Sequence, residues 1–143
     1  MEYHKITAED IKEISALIGA ANVVVDEEKM DMYSRDEVSD KLWEKMPEAV
    51  VKPENTEQVS KIVKWANDKK VPVTARGGGT GLAAGAVPLS GGIVLSLEKM
   101  NKILEIDDQN LFMVLEPGVS TGEVQRTAKE RGLFYAGDPC SAE

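Results

Sequence analysis

A glycine-rich segment constrains this chain more than any other feature. Four of the six residues 76–81, Arg-Gly-Gly-Gly-Thr-Gly, are glycine, and they follow the strand-like run 71–75. Because glycine has no Cβ, the backbone can take positive φ and bring its N–H groups close to a ligand. Successive N–H groups that curl into one concavity bind anionic oxygens, above all those of phosphate. The segment therefore predicts a phosphate-binding loop.

The composition is that of a globular domain of ordinary size. The chain has 143 residues, of which 42% are hydrophobic and 29% are charged. Its formal net charge of −8 argues against nucleic acid as the main partner, because binding to phosphate backbones needs clustered Lys and Arg. A phosphate ligand would therefore have to be held by local backbone dipoles.

The predicted location follows from cysteine usage and hydropathy. One cysteine, Cys140, excludes an internal disulfide framework and favours a reducing compartment. There is no uninterrupted apolar run of about 18 residues, which argues against a membrane span. The first residues are polar and do not match a signal peptide. We expect a cytoplasmic protein without a membrane-spanning segment.

Two helices are predicted in the first part of the chain. Thr7 and Asp10 form a capping box at the start of the first helix, which ends at Gly19. Asn55 caps the second, and this helix is long enough for a crossover between parallel strands. Its apolar stripe comprises Val59, Ile62, Val63 and Ala66. Short helices and turns are expected over 26–46, and strands at 23–25, 49–51, 71–75 and 92–97.

The second part of the chain is predicted to be an antiparallel hairpin followed by a helix. Segments 103–106 and 111–115 form the two arms, with polar turn residues between them. Ser120 and Glu123 form a capping box for a helix that ends near Gly132, and a further strand begins at 133–135. The change from parallel strands to a hairpin, near residue 98, separates two small lobes. The predicted fold class is therefore α+β.

Known phosphate-binding loops differ in the residues that come after the glycines. A Walker P-loop needs Lys and then Ser or Thr after the last glycine, whereas leucine occupies that position here. Gly79, Gly81 and Ala84 match the Rossmann pattern, with Glu98 at the distance of a ribose contact. That pattern must open a crossover helix, but residues 82–91 contain two glycines and a proline, which cost a helix about 1 and 3 kcal/mol each. Elimination favours a loop that wraps phosphate without a long helix behind it.

Several segments together resemble the FAD-binding domain of vanillyl-alcohol oxidase-type (PCMH-type) flavoproteins. The likeness is best to the branch that contains the FAD-binding chain of glycolate oxidase and FAD-linked D-lactate dehydrogenase, and it runs from about residue 45 onward. The resembling segments are 73–82, 85–88, 92–96, 100–106, 114–119 and 137–141. We predict an N-terminal helical segment over 1–45 and the N-terminal part of a PCMH-type domain over 46–143. Its lobes are expected at 46–98 and 99–143.

The resemblance implies FAD as the cofactor and places its contacts in four stretches. Residues 76–82 would donate backbone N–H groups to the pyrophosphate, with the side chains of Arg76 and Thr80 as further donors. Residues 85–86 would pass under the cofactor, 116–118 would turn near the adenine and ribose, and 138–141 would approach the flavin ring. The implied cofactor-binding residues are Arg76, Gly77, Gly78, Gly79, Thr80, Gly81, Leu82, Gly85, Ala86, Glu116, Pro117, Gly118, Asp138, Pro139 and Ser141.

Two of these assignments have plainer alternatives. Arg76 is otherwise a surface arginine, and residues 116–118 are otherwise an ordinary turn from strand to helix. Tyr33, Ser34 and Asp36 resemble a Tyr-Ser-x-Asp stretch of the same branch, which lines the access to the site or has a structural role.

No catalytic or metal-binding residue is assigned. His4 is the only histidine and lies near the N-terminus, where we expect no such role. Asp107 and Asp108 fall in the predicted turn and are expected to face solvent. Many relatives of this branch have serine where Cys140 stands, so we expect no redox role for the cysteine.

The resemblance implies a parent protein that is an FAD-dependent dehydrogenase of a 2-hydroxy acid, glycolate or D-lactate. A hydride would pass to the flavin, and electrons would leave to an electron-transfer flavoprotein or an iron–sulfur subunit. Relatives carry a substrate-binding half that these 143 residues lack, so the chain is expected to be an inactive fragment by itself. The alternatives are another substrate class, such as a sugar lactone or an amino-sugar nucleotide, or a folded module without catalysis.

Overall fold

The computed structural model describes residues 3–137. The helices are α1 (Ala8–Ile18), α2 (Glu27–Met30), α3 (Thr56–Lys69) and α4 (Thr121–Glu130). Short 3₁₀ turns lie at Ala20–Asn22, Asp31–Tyr33 and Lys41–Trp43. The strands are β1 (Val23–Val24), β2 (Ala49–Val51), β3 (Val73–Arg76), β4 (Ile93–Ser96), β5 (Ile103–Asp107) and β6 (Phe112–Leu115).

Side-chain caps begin the long helices where the sequence predicts them. The capping box of α1 is confirmed, because the Thr7 hydroxyl accepts from the Asp10 N–H while the Asp10 carboxylate accepts from the Thr7 N–H. Asn55 caps α3 by accepting from the N–H of Gln58 at 3.0 Å. Ser120 caps α4, but the predicted reciprocal contact of Glu123 is wrong, since that carboxylate pairs with an arginine one turn later.

The chain divides into two compact units with the boundary between Lys99 and Met100. In the first unit, one sheet has the strand order β1-β2-β4-β3. Strand β4 pairs in parallel with β2 and β3, whereas β1 pairs antiparallel with β2. Helix α3 is the predicted crossover from β2 to β3, and β4 later inserts between these two strands. The domain limits expected at residues 45 and 98 stay predictions.

The central strands β2 and β4 are buried at every residue, so the sheet has a core on each face. On one face, α1 and α3 pack against the sheet; there Ile14, Ile62 and Ile93 are fully buried. The other face is covered by Met30 and Tyr33 of the 27–33 region, which pack on neighbouring valines of β2 and β4. Val63, expected in the apolar stripe of α3, is 47% exposed on the flank of the helix.

The second unit consists of the β5–β6 hairpin and α4. The two strands pair antiparallel as predicted, with an irregularity in register between Ile103 and Glu105. The strand expected at 133–135 is wrong: the Leu133 N–H closes the end of α4 by donating to the Ala128 carbonyl at 2.9 Å. Across residues 3–137, no helix is both long and apolar enough to cross a membrane.

Candidate phosphate-binding site

The glycine loop (residues 76–82) leaves the end of β3 and continues into an irregular connection that reaches β4. Bends and turns fill residues 77–92, with no regular helix among them. The Rossmann alternative needs a crossover helix directly after the glycines, and this structure has none at that point. The loop geometry agrees with the expectation of a phosphate site that lacks a long helix behind it.

The backbone N–H groups of the first part of this connection, residues 77–86, are unpaired within the described part of the chain. From Gly77 to Ala86, none of them donates a hydrogen bond to an acceptor within residues 3–137. Most of these residues are exposed, including Leu82 at 75%. Backbone donors are almost always paired in folded proteins, with protein, water or ligand. This run of N–H groups is therefore available to an external acceptor.

The glycines of this connection differ in the space that a side chain would find beside them. A Cβ added to Gly77 or to Gly85 would meet nothing within 4 Å, so the backbone there borders open space. Gly79 has φ +75°, and a Cβ there would overlap the guanidinium of Arg76. Gly79 is thus required by its own conformation and by its neighbour, whereas Gly77 and Gly85 leave room for a ligand. The open, exposed backbone with free donors fits a diphosphate.

Arg76 lies beneath the loop rather than on the surface. Its side chain is 8% exposed; Nη1 donates to the carbonyl of Arg35 at 2.7 Å and Nη2 to that of Met32 at 2.9 Å. Its guanidinium also lies 5.6 Å from the centre of the Tyr33 ring. Burial lowers the pKa of Arg76 from its ordinary value, while Tyr33 and Asp36 oppose that change. The alternative of a surface arginine is wrong, and a side-chain contact to phosphate stays a prediction.

A polar cluster holds the Tyr33 ring in place. Its hydroxyl donates to Glu98 at 2.7 Å, and the Ser96 hydroxyl donates to the same oxygen at 2.7 Å. Lys52 binds the other carboxylate oxygen at 2.9 Å. Burial by itself would raise the pKa of Glu98, but these hydrogen bonds outweigh it and lower the pKa. Glu98 is thus occupied by Tyr33, Ser96 and Lys52, not free for the ribose contact that a Rossmann site would require.

Asp36 and Glu37 contact the far end of the glycine loop. The Glu37 N–H donates to the Gly81 carbonyl at 3.0 Å. Asp36 Oδ1 accepts from the Val38 N–H at 3.0 Å, while Oδ2 is buried with no hydrogen-bond partner among residues 3–137. That free oxygen would be 3.5 Å from a Cβ at Gly81. The Tyr-Ser-x-Asp stretch therefore lies next to the glycine loop, and its part in access to the site stays a prediction.

The other predicted residues fall in three places. Gly85 and Ala86 belong to the same open connection, in a turn that the Val87 N–H closes onto the Ala84 carbonyl at 3.2 Å. Residues 116–118 lie in the second unit, where the Glu116 carboxylate accepts from the Lys102 N–H at 2.8 Å. Their part in cofactor binding stays a prediction. Asp138, Pro139, Cys140 and Ser141 lie outside the described residues.

The side chains to which no catalytic role was given have structural partners. His4 Nε2 lies 2.7 Å from the Asp10 carboxylate at the start of α1. Asp107 closes the hairpin turn by accepting from two backbone N–H groups at 2.8 and 2.9 Å. Asp108 pairs with Arg131 at 2.9 Å, and both side chains are about half exposed.

The comparison with known families decides the assignment. The profile of the FAD binding domain matches residues 47–143. This chain belongs to the FAD-binding domain family. The predicted cofactor class and fold class are thereby confirmed, and the irregular connection after β3 is the glycine loop of an FAD-binding domain.

Individual members of the family are similar to this FAD-binding domain over most of its length. Glycolate oxidase subunit GlcD of Bacillus subtilis (strain 168) is 43% identical over 99 residues, which are 69% of this chain and 21% of that protein. D-lactate dehydrogenase of Anaerostipes hadrus is 37% identical over 139 residues, 96% of this chain and 29% of that protein. The chain therefore spans less than a third of these relatives.

The fold is shared with a solved flavoprotein as well. The crystal structure of p-cresol methylhydroxylase with substrate bound superimposes with a TM-score of 0.75 and 31% identity, over 86% of this chain and 24% of that one. This likeness covers the FAD-binding domain only and confirms the PCMH-type architecture.

Sequence reasoning missed the contacts that lie beneath the glycine loop. The carbonyls of Met32 and Arg35 are 44 and 41 residues before their donor, Arg76, and main-chain acceptors leave no mark on residue types. The one sequence feature that pointed toward these contacts was the Tyr-Ser-x-Asp stretch. It ends at Asp36, one residue before Glu37, which contacts Gly81.

Proposed function

We propose that the glycine loop of this FAD-binding domain binds the diphosphate of FAD. The observation that carries the proposal is the run of backbone N–H groups over 77–86 without acceptors in residues 3–137. Such donors around a concavity bind anionic oxygens at short range. Because each donor is part of the main chain, it is already oriented before the ligand arrives.

Electrostatics supports the same assignment. The chain has a formal net charge of −8, so long-range attraction would not bring a diphosphate to this domain. Short-range donors must hold the diphosphate. A hydrogen bond from a main-chain N–H group to a charged oxygen is stronger than one between neutral groups.

For the whole protein we propose an FAD-dependent oxidation of a 2-hydroxy acid. The names of the relatives support this class: glycolate oxidase subunit GlcD in one case and D-lactate dehydrogenase in another. Bound FAD would supply a flavin ring that accepts a hydride from the substrate carbon. This chain would contribute the loop that binds the diphosphate. Electrons would then pass from the flavin to an electron-transfer flavoprotein or an iron–sulfur subunit.

The whole-protein proposal is tested by the flavin absorbance of the longer protein. Under anaerobic conditions, glycolate or D-lactate is expected to bleach the yellow colour of the purified protein. Bleaching by a sugar lactone or an amino-sugar nucleotide instead would replace the substrate class and leave the cofactor assignment intact.

The diphosphate proposal is tested by Gly77→Ala. A methyl group there meets no protein atom within 4 Å, so the free energy of unfolding should stay within about 0.5 kcal/mol of the parent. The methyl would occupy space that the proposal gives to the diphosphate, and we expect the FAD affinity to fall about tenfold or more. Fluorescence titration with FAD measures the affinity, and urea unfolding without FAD measures the stability.

A substitution on the exposed face of α3 provides the control. Ser60→Ala changes an exposed side chain outside the loop, and its FAD affinity should equal that of the parent chain. If Gly77→Ala binds FAD as the parent does, the diphosphate does not lie over Gly77. If the parent chain takes up no FAD at all, the loop assignment is wrong for this chain.

A further inference from the structure

The glycine loop is fastened to a segment that precedes the family match. The 31–37 segment, which runs from the second 3₁₀ turn to Glu37, lies upstream of residue 47, where the FAD binding domain match begins. It accepts two hydrogen bonds from Arg76 and donates one to Gly81. Both ends of the loop thus contact the same short stretch of chain.

The position of the guanidinium under the loop has a direct geometric effect. A Cβ at Gly79 would overlap Nη2 of Arg76 and lie 2.9 Å from its Nε, so the backbone of Gly79 rests on the face or edge of this group. The same group is held from below by the carbonyls of Met32 and Arg35 at 2.9 and 2.7 Å. The position of the Gly79 backbone is therefore set by the Arg76 guanidinium, which the 31–37 segment holds in place.

The chemistry at this point requires arginine. A guanidinium offers several donors in a rigid plane and can also lie over an aromatic ring, whereas the ammonium of lysine is a single compact charge. Here two nitrogens reach two different carbonyls while the group lies 5.6 Å from the Tyr33 ring centre. A lysine would keep the charge and lose the second anchor.

We propose that Arg76 is a positioning residue: together with the 31–37 segment it shapes the glycine loop for a diphosphate without touching that ligand. The inference rests on the proposed function of the loop. With Nη1 and Nη2 bound to carbonyls below the loop, the guanidinium acts on the ligand through Gly79. The contact of the Glu37 N–H with the Gly81 carbonyl at 3.0 Å fixes the other end.

Two substitutions at Arg76 separate positioning from direct charge contact. Positioning requires that Arg76→Lys and Arg76→Met both weaken FAD binding by about tenfold or more, with the salt dependence of binding unchanged from the parent. If Arg76 instead pairs with the diphosphate, Arg76→Lys restores near-parent affinity and only Arg76→Met lowers the salt dependence. That outcome would overturn the proposal.

The control removes a surface charge outside both the 31–37 segment and the glycine loop. Lys64 lies on α3 and is exposed. Lys64→Ala should leave the FAD affinity unchanged. A loss equal to that of Arg76→Lys would show that surface charge, not loop position, governs binding.

A second pair of variants decides the question if the Arg76 variants do not fold. Glu37→Pro removes the N–H that donates to Gly81, whereas Glu37→Ala keeps it. The Glu37 residue is exposed in this structure. We expect weaker FAD binding for the proline variant alone. Equal affinities for the two variants would contradict a fixed loop end.

A measurement without ligand separates this inference from the proposed function. The ¹H–¹⁵N heteronuclear NOE of the loop amides in the FAD-free chain should fall in Arg76→Lys and stay at the parent value in Lys64→Ala. A parent chain that binds no FAD would reject the proposed function, yet the NOE difference would still test the positioning. Unchanged NOE values in Arg76→Lys would reject the positioning even if FAD binds.

Discussion

Gly79→Ala is expected to weaken both the fold and FAD binding. The alanine would have to adopt a φ of +75°, which costs about 1 kcal/mol or more for a residue with a Cβ. Its methyl would also displace the Arg76 guanidinium, which can move only by giving up its hydrogen bonds to two carbonyls. Each such bond from a charged donor contributes about 1.5 kcal/mol or more.

The expected sum is about 4 kcal/mol of unfolding free energy, with FAD affinity reduced about 100-fold or more. Urea unfolding and fluorescence titration with FAD measure the two effects. Gly77→Ala is the matched control for stability, because the same change at this nearby glycine meets open space. Parent-like stability of Gly79→Ala would mean that the guanidinium does not support the loop as described.

Asp10→Asn is expected to destabilise the first unit. It should also reduce the loss of unfolding free energy that this unit shows at acidic pH. The carboxylate is buried at 2% exposure and accepts from the Thr7 N–H and hydroxyl at 2.9 and 2.6 Å. Burial alone would raise the pKa of Asp10, but hydrogen bonds from Thr7, His4 and Lys69 outweigh it and hold the pKa well below its usual range. Loss of this charge should cost about 2–3 kcal/mol at neutral pH.

The direction of the pH effect follows from the lowered pKa. Because the folded pKa is below the unfolded value of about 3.9, the stabilisation is complete above that pH and is lost as the pH falls further. The parent chain should therefore lose unfolding free energy as the pH falls below about 4, and Asp10→Asn should lose less. Urea unfolding at several pH values measures this slope.

An exposed neighbour serves as the control for the acid response. Glu9 pairs with Lys12 at the surface, where its side chain is 71% exposed. Glu9→Gln should keep the slope of the parent chain because exposed ion pairs contribute little. Parallel pH profiles for Asp10→Asn and the parent would show that the Asp10 carboxylate does not govern acid stability.

Local features of this chain could be predicted because each depends on residues a few positions apart. The cap of α1 by Thr7 and that of α3 by Asn55 involve contacts three residues along the chain. The absence of a helix after the glycine loop follows from the glycines and proline within 82–91. Helical and strand bounds still differ by one or two residues, as for β3, predicted at 71–75 and found at Val73–Arg76.

Features that depend on distant partners could not be predicted. Residues 133–135 have a strand-like composition, but α4 ends by binding Leu133, and within residues 3–137 no strand pairs with them. The environment of Arg76 depends on main-chain carbonyls more than 40 residues earlier. From the sequence, the Arg76 side chain was expected either at the surface or in contact with phosphate. Neither expectation places it in a buried position next to Gly79.

The dependence of the loop on residues 31–37 limits how this domain can be divided or transplanted. A chimera that joins only residues 47–143 to another protein would carry the glycines yet lack the carbonyls that receive Arg76. The guanidinium would then lack these two acceptors and would no longer hold the Gly79 backbone in place. A transplanted segment that is to keep the glycine loop in place therefore has to include Met32, well upstream of the residues that match the family.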